Sequence, residues 1–363
     1  MPAPLEPYTF RNGVTLPNRV ALAPLTNLQS HDDGTLSDTE AAWLTRRAEG
    51  GFGLISTCAA YVSIDGKGWP GELGVERDDQ IERLAGLASS LRVAGGLPIV
   101  QLYHGGTRSP SAVTGTQPWS ASVYHEDGPE FETPRAATED DLHGAIEAFA
   151  AAAARCERAG FGGVELHGAH GYLLSQFLST AMNLRSDGWG GDLAGRARLV
   201  RSALRAVRAR VKPGFVVGVR LSPEDFGQAR GLDLDETIEV ARWLCEDGAD
   251  FIHLSLWRTE RMTTKRPDAH PIELFRAACP REVAIIAAGA IWSVADAQAA
   301  LDRGADLVAL GRAAILNPSW PRDAATPGWE PKRPPITIAE LEARAVSPHF
   351  GGYLRRWKGF VAD

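Results

Sequence analysis

Short apolar runs recur along the chain, and stretches of helical period stand between them. The runs are RVALAP (19–24), GLISTCAA (53–60), PIVQLYH (98–104), GVELHGA (163–169), VVGVRLS (216–222), FIHLSLW (251–257), AIIAAGA (284–290) and LVALGRA (307–313). Each is too short and too β-branched for a helix and is predicted as a strand. The intervening stretches are amphipathic, as in TEDDLHGAIEAFAAAAARCERAG and SVADAQAALDRG. Thr138 with Asp141, and Ser293 with Asp296, have the spacing of capping boxes and predict helix starts. Eight strand-then-helix units predict an α/β fold of the TIM (β/α)8 type, with helices covering parallel strands. The rival is a doubly wound sheet, which would carry G-x-G-x-x-G after its first strand. LAPLTNLQS has no such pattern.

Spacing locates the additions to a single domain spanning 1–363. The interval between the third and fourth runs is long, and its surplus, 105–137, is rich in Ser, Thr, Pro and Gly. It is predicted as a capping insertion after strand 3, because loops of that length in a barrel are commonly functional. Residues 319–363 form a C-terminal extension with one helix-like stretch, TIAELEARA, and an aromatic, basic tail, HFGGYLRRWKGF. That tail either closes its own site or reaches a neighbour's.

Composition narrows the partners. With 363 residues and 44% hydrophobic content the chain can bury a large core. A net charge of −7 argues against a broad basic face for nucleic acid, so any phosphate site must be local. Cys58, Cys156, Cys245 and Cys279 form no C-x-x-C pair, which disfavours an iron–sulfur cluster or structural zinc. No run reaches membrane length and no signal peptide opens the chain. The expectation is a soluble, cytoplasmic protein acting on a small molecule, without nucleic acid or membrane, with homo-oligomerisation left open.

In a barrel the chemistry sits where strands end. The first run delivers Ala23, Pro24, Leu25 and Thr26, the second Cys58, Ala59 and Ala60, and the third Gln101, Tyr103 and His104. The fourth delivers His167, His170 and Tyr172, the fifth Arg220, and the sixth His253, Ser255 and Trp257. No lysine stands at a strand end, which disfavours a Schiff-base aldolase. No Asp/Glu cluster stands there either, which disfavours a magnesium-dependent lyase. Gly289 and Ala290 after the seventh run, with Gly311 and Arg312 after the eighth, place small residues and a cation where barrels bind phosphate. Tight turns and a solvated charge are the plainer alternative. Arg220 shares a face with Gly218 and Ser222, so its charge points inward and needs a partner, either Glu165 or an electron-rich ligand.

The motif HGAHGY, 167–172, carries the most chemistry. A zinc site needs a third protein ligand, and none is evident. Two imidazole N–H groups can instead grip one carbonyl oxygen and stabilise charge developing on it. A neutral tyrosine hydroxyl can give a proton to a neighbouring carbon. An enone that accepts hydride at its β-carbon needs both services.

These residues resemble a known family. HGAHGYLLSQFLSTAMNLRSDGWGGDLAGRARLV, with LPNRVALAPLTN, VQLYHGG, VRLS, AAGAI and LGRAAILNP in the same order, looks like the old yellow enzyme family of FMN-dependent ene reductases. The resemblance runs over residues 16–318. It implies non-covalent FMN above the strand ends, with NADPH or NADH as electron donor and an electrophilic alkene as substrate. Ala23, Pro24, Leu25, Thr26, Ala59, Gln101, His167 and Arg220 would then lie along the flavin, with Arg220 at its N1–O2 edge. Gly289, Ala290, Gly311 and Arg312 would hold its phosphate. His167 and His170 would bind the substrate's carbonyl oxygen, and Tyr172 would protonate the α-carbon. The chain departs from some members at Thr26, where one branch has cysteine, and at Tyr103, where others have tryptophan.

Overall fold

The computed structural model describes residues 3–126, 128, 131–225, 227 and 229–362. Eight parallel strands close on themselves: β1 (Val20–Leu22), β2 (Leu54–Tyr61), β3 (Leu97–Tyr103), β4 (Gly163–Gly168), β5 (Val216–Leu221), β6 (Phe251–Ser255), β7 (Ala284–Ala288) and β8 (Leu307–Leu310). Each pairs in parallel with the next, and β8 pairs with β1 to complete the barrel. Helices cross outside between them, among them α1 (Asp38–Glu49), α2 (Ile81–Val93), α3 (Glu139–Arg158), α4 (Leu193–Arg210) and α5 (Leu234–Glu246). Both predicted capping boxes are present. Thr138 opens α3, and Ser293 opens the helix Val294–Asp302. Each leaves two otherwise unpaired backbone N–H groups satisfied.

The barrel interior is built in layers because side chains alternate across each strand. At the floor, Leu54, Ile99, Val216, Phe251, Ala284 and Leu307 meet Phe10 and Leu16 of a hairpin (Tyr8–Thr9 with Thr15–Leu16) that plugs the strands' N-terminal ends. Gly218 is required here. A Cβ on it would stand 2.2 Å from the Phe251 ring, so only glycine lets that phenyl fill the centre.

Above the floor the interior turns polar. Gln101 pairs in register with Glu165, and Arg220 with both His167 and His253. Strand β2 is irregular between Ser56 and Ala59. An extra residue of this kind re-aims the side chains beyond it, and Ala59 faces the site.

The described residues of the insertion 105–137 pack beside the mouth. Trp119 Nε1 donates to Asp65 Oδ2 at 2.7 Å, and Gln176 Nε2 donates to Gly105 O and Thr107 Oγ1 at 3.0 Å each. The C-terminal extension is tied to the barrel instead by buried Arg47, whose guanidinium donates to the carbonyls of Ala314, Ile315 and Arg344. It carries its own helix, Pro348–Leu354, over the strand ends. The tail therefore closes over its own barrel.

Candidate active site

A cavity of about 310 Å³ opens at the C-terminal ends of the strands. Ala23, Pro24, Leu25, Thr26, Ala59, Gln101, His167, His170, Tyr172, Arg220, Gly289, Ala290, Gly311 and Arg312 all line it. The fold thus gathers residues from seven strands that lie up to 289 positions apart (Ala23 to Arg312).

One wall carries the two histidines and the tyrosine. His167 ends β4, and the chain then turns through His170 at φ 62° and Gly171 at φ 74°. A left-handed histidine is uncommon and its strain must be held by surroundings. Here Ser222 Oγ accepts the His170 backbone N–H at 3.2 Å. Tyr172 follows as the N-cap of the short helix Leu173–Leu178. The His167 ring lies 5.0 Å from those of His170 and Tyr172, edge to face with each. Tyr103 packs behind, its ring 4.6 Å from that of Tyr172.

Electrostatics keep this wall neutral. Burial, then the neighbouring Arg220 and His253, holds His167 and His170 well below the ordinary histidine value, with each other's proximity adding to the effect at His167. Burial and the charge of Glu72 push the Tyr172 phenol above its ordinary value, so it stays protonated. Ala169 N–H donates to His167 Nδ1 at 3.3 Å, which leaves the ring proton on Nε2. Among the described residues no group of three or more His, Cys, Asp or Glu is arranged to hold a metal ion.

Arg220 is buried beneath the cavity. The expected partner, Glu165, is nearby but hydrogen-bonded elsewhere: Gln101 Nε2 donates to its Oε1, and His253 Nδ1 faces its Oε2, at 2.6 Å each. Burial opposes ionisation of Glu165, yet His253, Arg220 and Gln101 outweigh it and hold the carboxyl below its usual range. It is a carboxylate facing a neutral imidazole. Arg220 keeps a long bond to Ser255 Oγ, 3.4 Å, and its buried Nε has no partner. An inward cation with an unused donor fits the electron-rich edge of a flavin.

The opposite corner suits a phosphate. Arg312 stands at its outer edge, where burial and the like charge of Arg258 lower its proton affinity. Two guanidinium groups in one field favour an anion between them. Gly289 has no space for a side chain, since a Cβ would come within 2.9 Å of Arg258 N. Ala290 sits at φ 51°, a strained turn at the same corner. The residues present therefore fit FMN, with Arg220 and Gln101 able to face a ring and Arg312 able to face a phosphate.

Sequence reading alone missed an aromatic face. Trp69, Phe350, Tyr353 and Trp357 line the cavity too, the last three from the C-terminal extension. Tyr353 lies 6.3 Å from Phe350 and 5.9 Å from Trp357, ring to ring. The aromatic spacing in HFGGYLRRWKGF, at helical period, was the available signal. No described residue of the insertion 105–137 lines the cavity; the cover over it comes from the tail.

The strand-end cavity thus combines a buried arginine, a cationic corner and a histidine–tyrosine wall. A model of the NADH:flavin oxidoreductase / NADH oxidase family matches residues 5–327, and the chain belongs to that family. It is an FMN-dependent NAD(P)H oxidoreductase of the old yellow enzyme type. The chain is 36% identical over 322 residues to the probable NADH-dependent flavin oxidoreductase YqiG of Bacillus subtilis (strain 168), covering 87% of this chain and 86% of that protein. The structure of the old yellow enzyme homologue from Zymomonas mobilis superimposes with a TM-score of 0.83 at 29% identity, over 94% of this chain and 96% of the other. Morphinone reductase in complex with tetrahydroNAD gives 0.84 at 27% identity, over 96% and 97%. Among the described residues no helix is long and apolar enough to cross a membrane.

Proposed function

We propose that this protein reduces the C=C bond of α,β-unsaturated carbonyl compounds with electrons from NAD(P)H. The observation that carries the reading is the convergence of two imidazoles and one phenol on a single wall, the His167 ring 5.0 Å from each of the other two, facing a cavity that fits a flavin. The chemistry that bound FMN would supply is hydride transfer between NAD(P)H and the substrate's β-carbon. Everything else is work for the chain. His167 and His170 hold the carbonyl oxygen and stabilise the negative charge that develops there, without themselves charging. Tyr172 gives its proton to the α-carbon, and its raised proton affinity keeps that proton available through neutral pH. Arg220 and Gln101 would meet the ring of the cofactor, while Ala23, Pro24, Leu25, Thr26 and Ala59 would form its bed. Gly289, Ala290, Gly311 and Arg312 would receive its phosphate. Trp69, Phe350, Tyr353 and Trp357 exclude water and favour flat, unsaturated substrates.

The test is a visible spectrum of the purified protein, followed by anaerobic NADPH and then cyclohexenone. A flavin band that NADPH bleaches and the enone restores is the expected result. A reduced flavin that ignores cyclohexenone and other activated alkenes would overturn the C=C reading while leaving the family assignment intact.

A further inference from the structure

We propose that Ser255 is a positioning residue that fixes which nitrogen of His170 carries the proton, and so turns His170 into a donor toward the substrate. This rests on the reading of His170 as a carbonyl-binding group. Ser255 ends β6, is buried, and lines the cavity. Its Oγ lies 2.6 Å from His170 Nε2 and accepts from Arg220 Nη2 at 3.4 Å.

The direction of this chain of bonds comes from counting donors. A guanidinium can only donate, so the Arg220 contact uses an Oγ lone pair. Ser255 has one proton of its own. If His170 donated from Nε2, Ser255 would receive two donors, and its own proton would lack an acceptor among the described residues. His170 would then present a lone pair at Nδ1, the wrong polarity for a carbonyl oxygen. If Ser255 donates to Nε2 instead, its own proton and its contact with Arg220 Nη2 are both accommodated, and the proton of the neutral ring sits on Nδ1. That nitrogen has no partner among the described residues and does not count among the buried unpaired atoms, so it is open to the cavity. His167 is set by a different device, Ala169 N–H on Nδ1, and donates from Nε2. The two histidines thus offer opposite nitrogens to one oxygen.

The arrangement also relays charge. Each bond in the series Arg220 to Ser255 to His170 polarises the next, so the fixed positive charge of Arg220 strengthens Nδ1–H as a donor. An oxyanion above His170 would feel Arg220 without touching it. Ser255 performs no chemistry itself.

The experiment uses FMN-loaded protein labelled with ¹⁵N-histidine, with His170→Ala to assign the signal. The tautomer of His170 is read from its nitrogen shifts, and affinity for p-nitrophenol from the perturbed flavin absorbance. Wild type should show protonated Nδ1. Ser255→Ala should move the ring toward protonated Nε2 and weaken p-nitrophenol about tenfold to a hundredfold. Ser255→Thr, which keeps the hydroxyl, should recover both. Protonated Nε2 in wild type would overturn the proposal, as would a flavin-loaded Ser255→Ala that binds p-nitrophenol like wild type. Loss of FMN from both variants would assign Ser255 to the flavin through Arg220 and equally overturn it. If Ser255→Ala loses FMN alone, the wild-type tautomer and Ser255→Thr still decide. Should the tautomer and phenol results hold while no enone is turned over, the fault lies with the proposed reaction and not with this relay.

Discussion

The rings of His167 and Tyr172 meet edge to face, 5.0 Å apart with planes at 78°. Five positions separate them in sequence, and the left-handed turn at His170 and Gly171 brings them onto one wall. A carbonyl oxygen held at His167 therefore places the neighbouring carbon within reach of the tyrosine's side of the cavity. Tyr172→Phe keeps the ring and its packing but removes the proton. Turnover of cyclohexenone should fall by roughly 10²- to 10⁴-fold. Reduction of the flavin by NADPH, followed in stopped flow, should stay near wild type. Equal turnover by the variant would remove Tyr172 from the donor role.

His167→Ala addresses the grip on oxygen. Phenols ionise to an oxyanion that imitates the enolate, so their affinity reports the donors directly. The loss of one hydrogen bond to a charged oxygen should weaken p-nitrophenol by roughly tenfold to a hundredfold in a flavin titration. Unchanged affinity would dismiss His167 as an oxyanion donor.

Acid should destabilise this barrel through its buried imidazoles. His167, His170 and His253 are held below the ordinary value of 6.5, chiefly by burial. Between their folded values and 6.5 the unfolded chain binds more protons, so stability rises with pH across that window. It is complete above about 6.5 and drains away as pH falls below it. Glu165, also lowered, extends the loss in the same direction below 4.5. Thermal melts at pH 5 and pH 8 should differ, with the lower Tm at pH 5. No alkaline loss of proton donation is expected from Tyr172 up to pH 10, since its phenol is raised above that value.

Glu165 joins three elements, and its removal should cost more than one bond. Gln101, His253 and the charge of Arg220 all depend on it. Glu165→Ala leaves two buried groups without an acceptor and a buried cation without a counter-charge, a loss of about 3–5 kcal/mol. Glu165→Gln retains one acceptor oxygen and should lie between the two. Chemical denaturation of the three proteins checks the order. Equal stability of wild type and Glu165→Ala would mean that Arg220 is balanced elsewhere.

The legible parts of this protein are the local ones. All eight strands could be read because each is a short apolar run, and the HGAHGY wall because its members are neighbours in the chain. The place of Gly289–Ala290 and Gly311–Arg312 at the cavity was readable for the same reason, as each is a local pair. Contacts set by barrel register were not. Arg220 and Glu165 share an interior, but whether they bond depends on Gln101 and His253 from β3 and β6, which compete for the same carboxylate. The bond between His170 and Ser255 joins β6 to the loop after β4 across 85 residues, and no local pattern encodes it. The cover over the cavity was assigned to the insertion because of its length, while the tail supplies the aromatic lining. The deciding feature was Arg47, a buried cation that fastens the tail to the barrel through backbone carbonyls, which carry no sequence signal.

That aromatic lining leads to the last prediction. Phe350 is fully buried and packs edge to face on Trp43, rings 5.2 Å apart, so replacing it would test stability as much as substrate choice. Trp357 is only partly buried and is the better probe. Trp357→Ala removes a large flat surface from the cavity without breaking the tail's anchor at Arg344. A bulky bicyclic enone should lose stacking contact worth about 0.5–1.5 kcal/mol, appearing as a KM raised by roughly twofold to tenfold. Cyclohexenone, too small to span from the histidine wall to the tail, should show little change. The paired measurement separates the outcomes. A KM raised equally for both substrates would mean that the tail orders the whole site, and an unchanged KM for both would place Trp357 outside the substrate's path.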